Sequence, residues 1–142
     1  MLLCKQLKEE AFKMKVLIID DREYEMRQYV HIVTELGHEV TEAVGGREAT
    51  LLIEDTDFDA IITDVQMPRM TGVHVLQSIN WGNPSPPHCL IHSSSDSYRE
   101  RGSSSELDLK TIGEIFEFAE FHHKRDEKPT EYIPTWLQKI SQ

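Results

Sequence analysis

The sequence predicts a doubly wound α/β domain built on a five-stranded parallel sheet with helices on both faces. Three observations carry this. Short β-rich apolar runs recur along the chain, and the first four stand before segments whose apolar residues repeat at helical spacing or that carry a helix-capping signature. Strands joined through helices must be parallel, with right-handed crossovers. Finally, 142 residues with 39% apolar content fit one domain with a real core.

The elements follow in order. Lys15-Val16-Leu17-Ile18-Ile19 is a buried strand stopped by Asp20-Asp21. Met26, Tyr29, Val30, Val33 and Leu36 then recur at three- and four-residue steps, and Gly37 follows as a C-terminal stop, which predicts a first helix. His38 to Ala43 alternates polar and apolar, as a strand on the edge side of a sheet does. Gly45-Gly46 breaks the chain before a short second helix carrying Ala49, Leu52 and Ile53, which runs into an acidic turn at Glu54 to Asp57. Ala60 to Thr63 is a third strand ending at Asp64, and Gly72 to Asn80, with Val73, Leu76 and Ile79 on one face, a third helix. A rigid proline-rich loop, Asn83 to Pro87, leads to a fourth strand at Cys89 to Ile91 and then to Ser93-Ser94-Ser95. Ser105-Glu106-Leu107-Asp108 has capping-box spacing before a helix through Ile112 and Ile115. Phe116 to Lys124 is the fifth strand, and Pro134 is expected in the first turn of a last helix that carries Trp136, Leu137 and Ile140.

For five such strands the flavodoxin-like order 2-1-3-4-5 is expected. Its ligand crevice lies outside the carboxyl ends of strands 1 and 3, where the order reverses, and that rule points at Asp20, Asp21 and Asp64. Aspartate at a strand-to-helix turn is an ordinary helix cap, so any one of the three alone says little. Together they repel one another unless a cation sits among them. All-oxygen ligation by few protein groups suits magnesium, which keeps waters and leaves positions for phosphate oxygens.

At these residues the chain resembles the receiver domain of the two-component response-regulator family, from about Lys15 to Gln142. Asp20-Asp21 resembles the family's acidic pair. Asp64-Val65-Gln66-Met67-Pro68-Arg69-Met70-Thr71-Gly72 resembles its phosphoacceptor loop, D-x-x-M-P-x-M-x-G, at every fixed position. The resemblance implies that Asp64 is phosphorylated and that Mg²⁺ is held by Asp21, Asp64 and the Gln66 carbonyl, with Asp20 near or water-linked. Ser93 resembles the family's strand-4 hydroxyl residue, although three serines in a row leave the register open by one. Lys124 is taken as the strand-5 lysine because only a strand end places an ammonium in the crevice; Lys128, followed by Pro129, is the other candidate. Phe121 would be the switch aromatic, or ordinary core.

The family resemblance further implies a phosphohistidine donor on a histidine kinase or histidine phosphotransfer protein, a downstream protein target near strands 4 and 5, and a monomer or phosphorylation-dependent dimer. A pseudo-receiver that binds partners without phosphorylation is the alternative. A turnover enzyme is not expected: a magnesium-dependent aspartyl phosphatase would resemble D-x-D-x-T after strand 1, and Asp20 to Tyr24 lacks that pattern. The domain is expected at residues 15–142, after an amino-terminal extension at 1–14 and without an output domain.

A net charge of −10 disfavours direct binding to nucleic acid or to an anionic membrane surface. No apolar run approaches the roughly 18 residues of a membrane span, and residues 1–4 are too short for a signal peptide, so a cytoplasmic protein is the expectation. Cys4 and Cys89 match no metal or redox spacing. The seven histidines show no ligand spacing either, and adjacent His122 and His123 point to opposite faces of a strand. Trp81 and Trp136 are expected to close the ends of the core.

Overall fold

The computed structural model describes residues 13–64, 72–79, 86–93, 119–123 and 127–141. Its elements are β1 (Lys15–Ile19), α1 (Glu23–Glu35), β2 (Glu39–Ala43), α2 (Gly46–Asp55), β3 (Ala60–Asp64), α3 (Gly72–Gln77), β4 (His88–Ser93), β5 (Ala119–His123) and α4 (Pro129–Ile140). All strand pairs are parallel, and the sheet order is β2-β1-β3-β4-β5, as the sequence predicts.

The strand residues divide by parity. Val16, Ile18, Ala60, Ile62 and Leu90 face α1 and α4, where they meet Met26, Tyr29, Val33, Tyr132, Ile133, Trp136 and Leu137. Leu17, Ile19, Ala43, Ile61, Cys89, Ile91 and Ala119 face the other way, onto Ala49 of α2 and Val75, Leu76 and Ile79 at and after α3. Burial on both faces is why β1 and β3 read as continuous apolar runs rather than alternating ones. Edge strand β2 keeps a mixed pattern, with Glu39 and Glu42 exposed.

Two glycines set the turns around β2. Gly37, at φ +90°, ends α1 and donates from its N–H to the Thr34 carbonyl at 2.9 Å. Gly45, at φ +100°, lies just before α2, where the Val44 N–H is satisfied by Glu48 Oε2 at 3.0 Å.

Several element boundaries differ from the sequence reading. The third helix ends at Gln77 rather than Asn80, because Ser78 and Ile79 donate to Val75 and Leu76, three residues back, and the chain tightens out of α-geometry. β4 runs from His88 to Ser93, longer than Cys89 to Ile91, because it is paired on both sides, by β3 and β5. The last helix starts at Pro129, which takes the first-turn position; Pro134 lies inside the helix. There Pro134 lacks the N–H that would bond the carbonyl of exposed Thr130, a group that water can reach. The helix expected from Ser105 through Ile115, residues 116–118 and 124 of the expected fifth strand, Trp81, and residues 1–12 of the extension lie outside the described residues.

Candidate functional site

The site forms where the sheet order reverses. Ile19 of β1 stands in register with Thr63 of β3, so Asp20 and Asp64 leave adjacent strands side by side. Asp20 is 1% and Asp64 4% exposed, a burial that only a shared cation or donor can make economical for two carboxylates. Oxygens of Asp20, Asp64 and Glu25 all lie within 4.8 Å of one another, a grouping able to hold a metal ion. Asp21 is not among the three. It is half-buried, and its Oδ1 is buried without a hydrogen-bond partner among the described residues.

Local chain chemistry explains how the acidic turn is held. Asp20 Oδ1 accepts the Arg22 N–H at 2.9 Å, and the Asp20 N–H donates to the Ala43 carbonyl at 3.2 Å, fixing the end of β1 against β2. Arg22 is the residue preceding α1, and no side-chain cap bond is made there, so Asp20 acts on the turn rather than on the helix amides. The exposed Arg22 guanidinium reaches Glu25 Oε1 at 3.4 Å. Its pKa is raised first by Glu25; burial opposes this as the next largest effect, and Asp64 and then Asp21 add smaller upward contributions.

Tyr29 backs the cluster from inside. Burial first, and then the charges of Glu25, Asp20 and Asp64, push its phenol well above the usual tyrosine range, so it remains a protonated donor; its hydroxyl lies 3.5 Å from Glu25 Oε2. The Tyr29 ring meets the His92 ring at a centroid distance of 4.6 Å. His92, in register with Asp64 and fully buried, has its Nδ1 2.8 Å from the Tyr132 hydroxyl. Tyr132 stacks on His122 of β5 at 4.6 Å and 11°. A row of rings therefore runs from beside the acidic cluster to the β5–α4 edge of the domain.

Of the residues singled out by sequence, Asp20 and Asp64 are brought together. Ser93 lies at the end of β4, paired with His123, and Phe121 lies in β5, paired with Ile91; only their backbone is described. Gln66 and Lys124 lie outside the described residues, as do Ser94 and Ser95, while Lys128 is exposed just before α4. Sequence reasoning did not find Glu25 or the His92–Tyr132 bond. The signal for Glu25 was its spacing: it shares a helix face with Arg22 at three residues and with Tyr29 at four, beside the apolar stripe.

The response regulator receiver domain family matches residues 16–108. The chain belongs to that family. Its relatives include chemotaxis protein CheY-3 of Vibrio cholerae, 37% identical over 67 residues, which cover 46% of this chain and 52% of that one. A protein-glutamate methylesterase/protein-glutamine glutaminase of Rhodospirillum rubrum is 33% identical over 114 residues, covering 79% of this chain and 28% of its own length. Among solved structures, V. cholerae chemotaxis protein CheY4 superposes with a TM-score of 0.65 at 27% identity, covering 90% of this chain and 98% of that one. The chain spans about half or less of the length of these curated relatives. Receiver domains are in general signalling domains of two-component systems rather than turnover enzymes, and they interact with histidine kinases and downstream effectors. Among the described residues no helix is long and apolar enough to cross a membrane.

Proposed function

We propose that this receiver accepts a phosphoryl group on Asp64 from a phosphohistidine donor and thereby switches a protein-binding surface near β4 and β5. The observation that carries the reading is the gathering of Asp20, Asp64 and Glu25 oxygens within 4.8 Å at the sheet's switch point, on a chain whose sequence from Asp64 to Gly72 reads D-x-x-M-P-x-M-x-G.

The donor set fits a hard divalent cation. It consists of carboxylate oxygens, two of them on almost fully buried residues, and Arg22 supplies a positive charge at the mouth. Asp20, Asp21 and Asp64, with the Gln66 carbonyl, would hold Mg²⁺, which when bound neutralises phosphoryl oxygens. Asp64 is the nucleophile: a carboxylate oxygen forms a bond to phosphorus as the phosphorus–nitrogen bond of the donor breaks, and the imidazole leaves with the electron pair. Lys124 stabilises the charge on the transferred group, and Ser93 donates its hydroxyl to the acyl phosphate. The inward move of Ser93 vacates space that Phe121 fills, which changes the outer surface of β4 and β5. Water attack on the acyl phosphate restores Asp64. Residues 15–142 form the switch, and residues 1–14 precede it as an extension.

The test is transfer from a phosphohistidine-bearing kinase or phosphotransfer domain. Label should pass to the wild-type chain only with Mg²⁺ present and not to Asp64→Asn; transfer to that variant would overturn the assignment. A wild-type chain that binds partners equally with and without label would favour the pseudo-receiver instead.

A further inference from the structure

We infer that Glu25 is a working ligand of the cation site, held ready by Arg22 and Tyr29. This rests on the cation site proposed above and adds a carboxylate that neither the acidic pair nor the phosphoacceptor loop supplies. Glu25 is the third residue of α1, and its carboxylate lies within 4.8 Å of oxygens from both Asp20 and Asp64. Its side chain is 22% exposed, against 79% for Glu23 two residues earlier, so the helix turns Glu25 toward the strand ends and Glu23 toward solvent.

Among the described residues, two groups orient that carboxylate. Arg22 Nη1 approaches one oxygen at 3.4 Å from the solvent side, and the Tyr29 hydroxyl approaches the other at 3.5 Å from the core side. Tyr29 is itself immobilised, being 1% exposed with its ring against His92. A ligand oriented by neighbours in this way loses little freedom when it binds an ion. Arg22 then has a definite part: among the described residues it is a cation that accompanies Glu25 until a divalent ion arrives, and it yields Glu25 to that ion. With Asp20, Asp21 and Asp64 the ion would face four carboxylates, so Glu25 raises affinity for the ion in the resting protein rather than contributing to phosphoryl transfer.

The experiment is Mn²⁺ binding to the full, unphosphorylated chain, followed by loss of the free-ion electron paramagnetic resonance signal and repeated with Mg²⁺ as competitor. Glu25→Gln should weaken binding by roughly tenfold, as loss of a ligand or its orienting partner does. Glu23→Gln removes the same charge from the same helix turn but outside the cluster, and should change affinity by less than about twofold, the size expected of a screened surface charge. Glu25→Asp keeps the charge but withdraws it by one methylene, and a ligand role predicts that it does not restore wild-type affinity. Equal effects of Glu25→Gln and Glu23→Gln, or full rescue by Glu25→Asp, would overturn the inference while leaving the cation site standing. A wild-type chain that binds neither ion would remove both.

Discussion

Asp64→Asn should make the metal-free protein more stable, although it removes the residue on which the proposed chemistry depends. In the folded chain the Asp64 carboxylate sits within 4.8 Å of two others. Two unit charges at that separation repel by about 3.5 kcal/mol at an effective dielectric constant near 20. The Asp20 interaction is between side chains only 1% and 4% exposed and is poorly screened, whereas the Glu25 interaction is weakened by solvent and by the nearby Arg22 guanidinium. Asparagine keeps the shape while deleting the charge and exchanging one acceptor oxygen for an NH₂ donor. Allowing for compensation by Arg22 and by the other partners of these carboxylates, we expect a gain of about 2 kcal/mol, on the order of 6 to 8 °C in melting temperature for a domain of this size. Magnesium should reverse the order. An ion at one hundred times its dissociation constant adds roughly 2.7 kcal/mol to the protein that binds it, and the variant should gain little of this. Thermal melts followed by circular dichroism, in chelator and in saturating Mg²⁺, read both effects. A variant that melts at or below wild type in chelator, or that responds to Mg²⁺ as wild type does, would refute the reasoning.

Further outcomes follow from other parts of the fold. Burial lowers the pKa of His38, whose Nδ1 accepts the Met14 N–H at 3.1 Å. The neutral ring is therefore the one the fold prefers: its contribution is complete above the unfolded histidine value of about 6.5 and is lost as pH falls through the lower folded value, so denaturation profiles of wild type and His38→Asn should converge under acid conditions. Tyr132→Phe removes the hydroxyl at 2.8 Å from buried His92 and should cost about 1 to 2 kcal/mol in urea unfolding, with no loss expected if that bond contributes nothing. Burial pushes the Cys89 thiol far above its usual pKa, so iodoacetamide should modify it only on unfolding; modification at the rate of a free thiol in the native protein would contradict its placement in the core.

The strands and the reversal point were legible because they depend on local composition. Val16 to Ile19 and Ala60 to Ile62 are apolar on both faces, and the rule that ligands sit beyond the strand ends at the switch point led directly to Asp20 and Asp64. What remained hidden depends on distance or rotation. His92 reads as a polar interruption of β4 until the Tyr132 hydroxyl, forty residues later on α4, is seen to pair with its Nδ1. Glu25 looks like any first-turn acid of an amphipathic helix, and only the rotation of α1, set by burial of Met26, Tyr29 and Val33, aims it at the cluster. Pro134 misled because a proline at a first turn and one tolerated at an exposed carbonyl look alike in sequence, and Pro129 already held the first position.

The most direct test of the central claim is intact mass after incubation with a small-molecule phosphoryl donor. Wild type should gain one phosphoryl group with Mg²⁺ and none in chelator, and Asp64→Asn should gain none under either condition. Phosphoryl gain by Asp64→Asn equal to that of wild type would contradict the claim, as would gain by wild type that is indifferent to Mg²⁺.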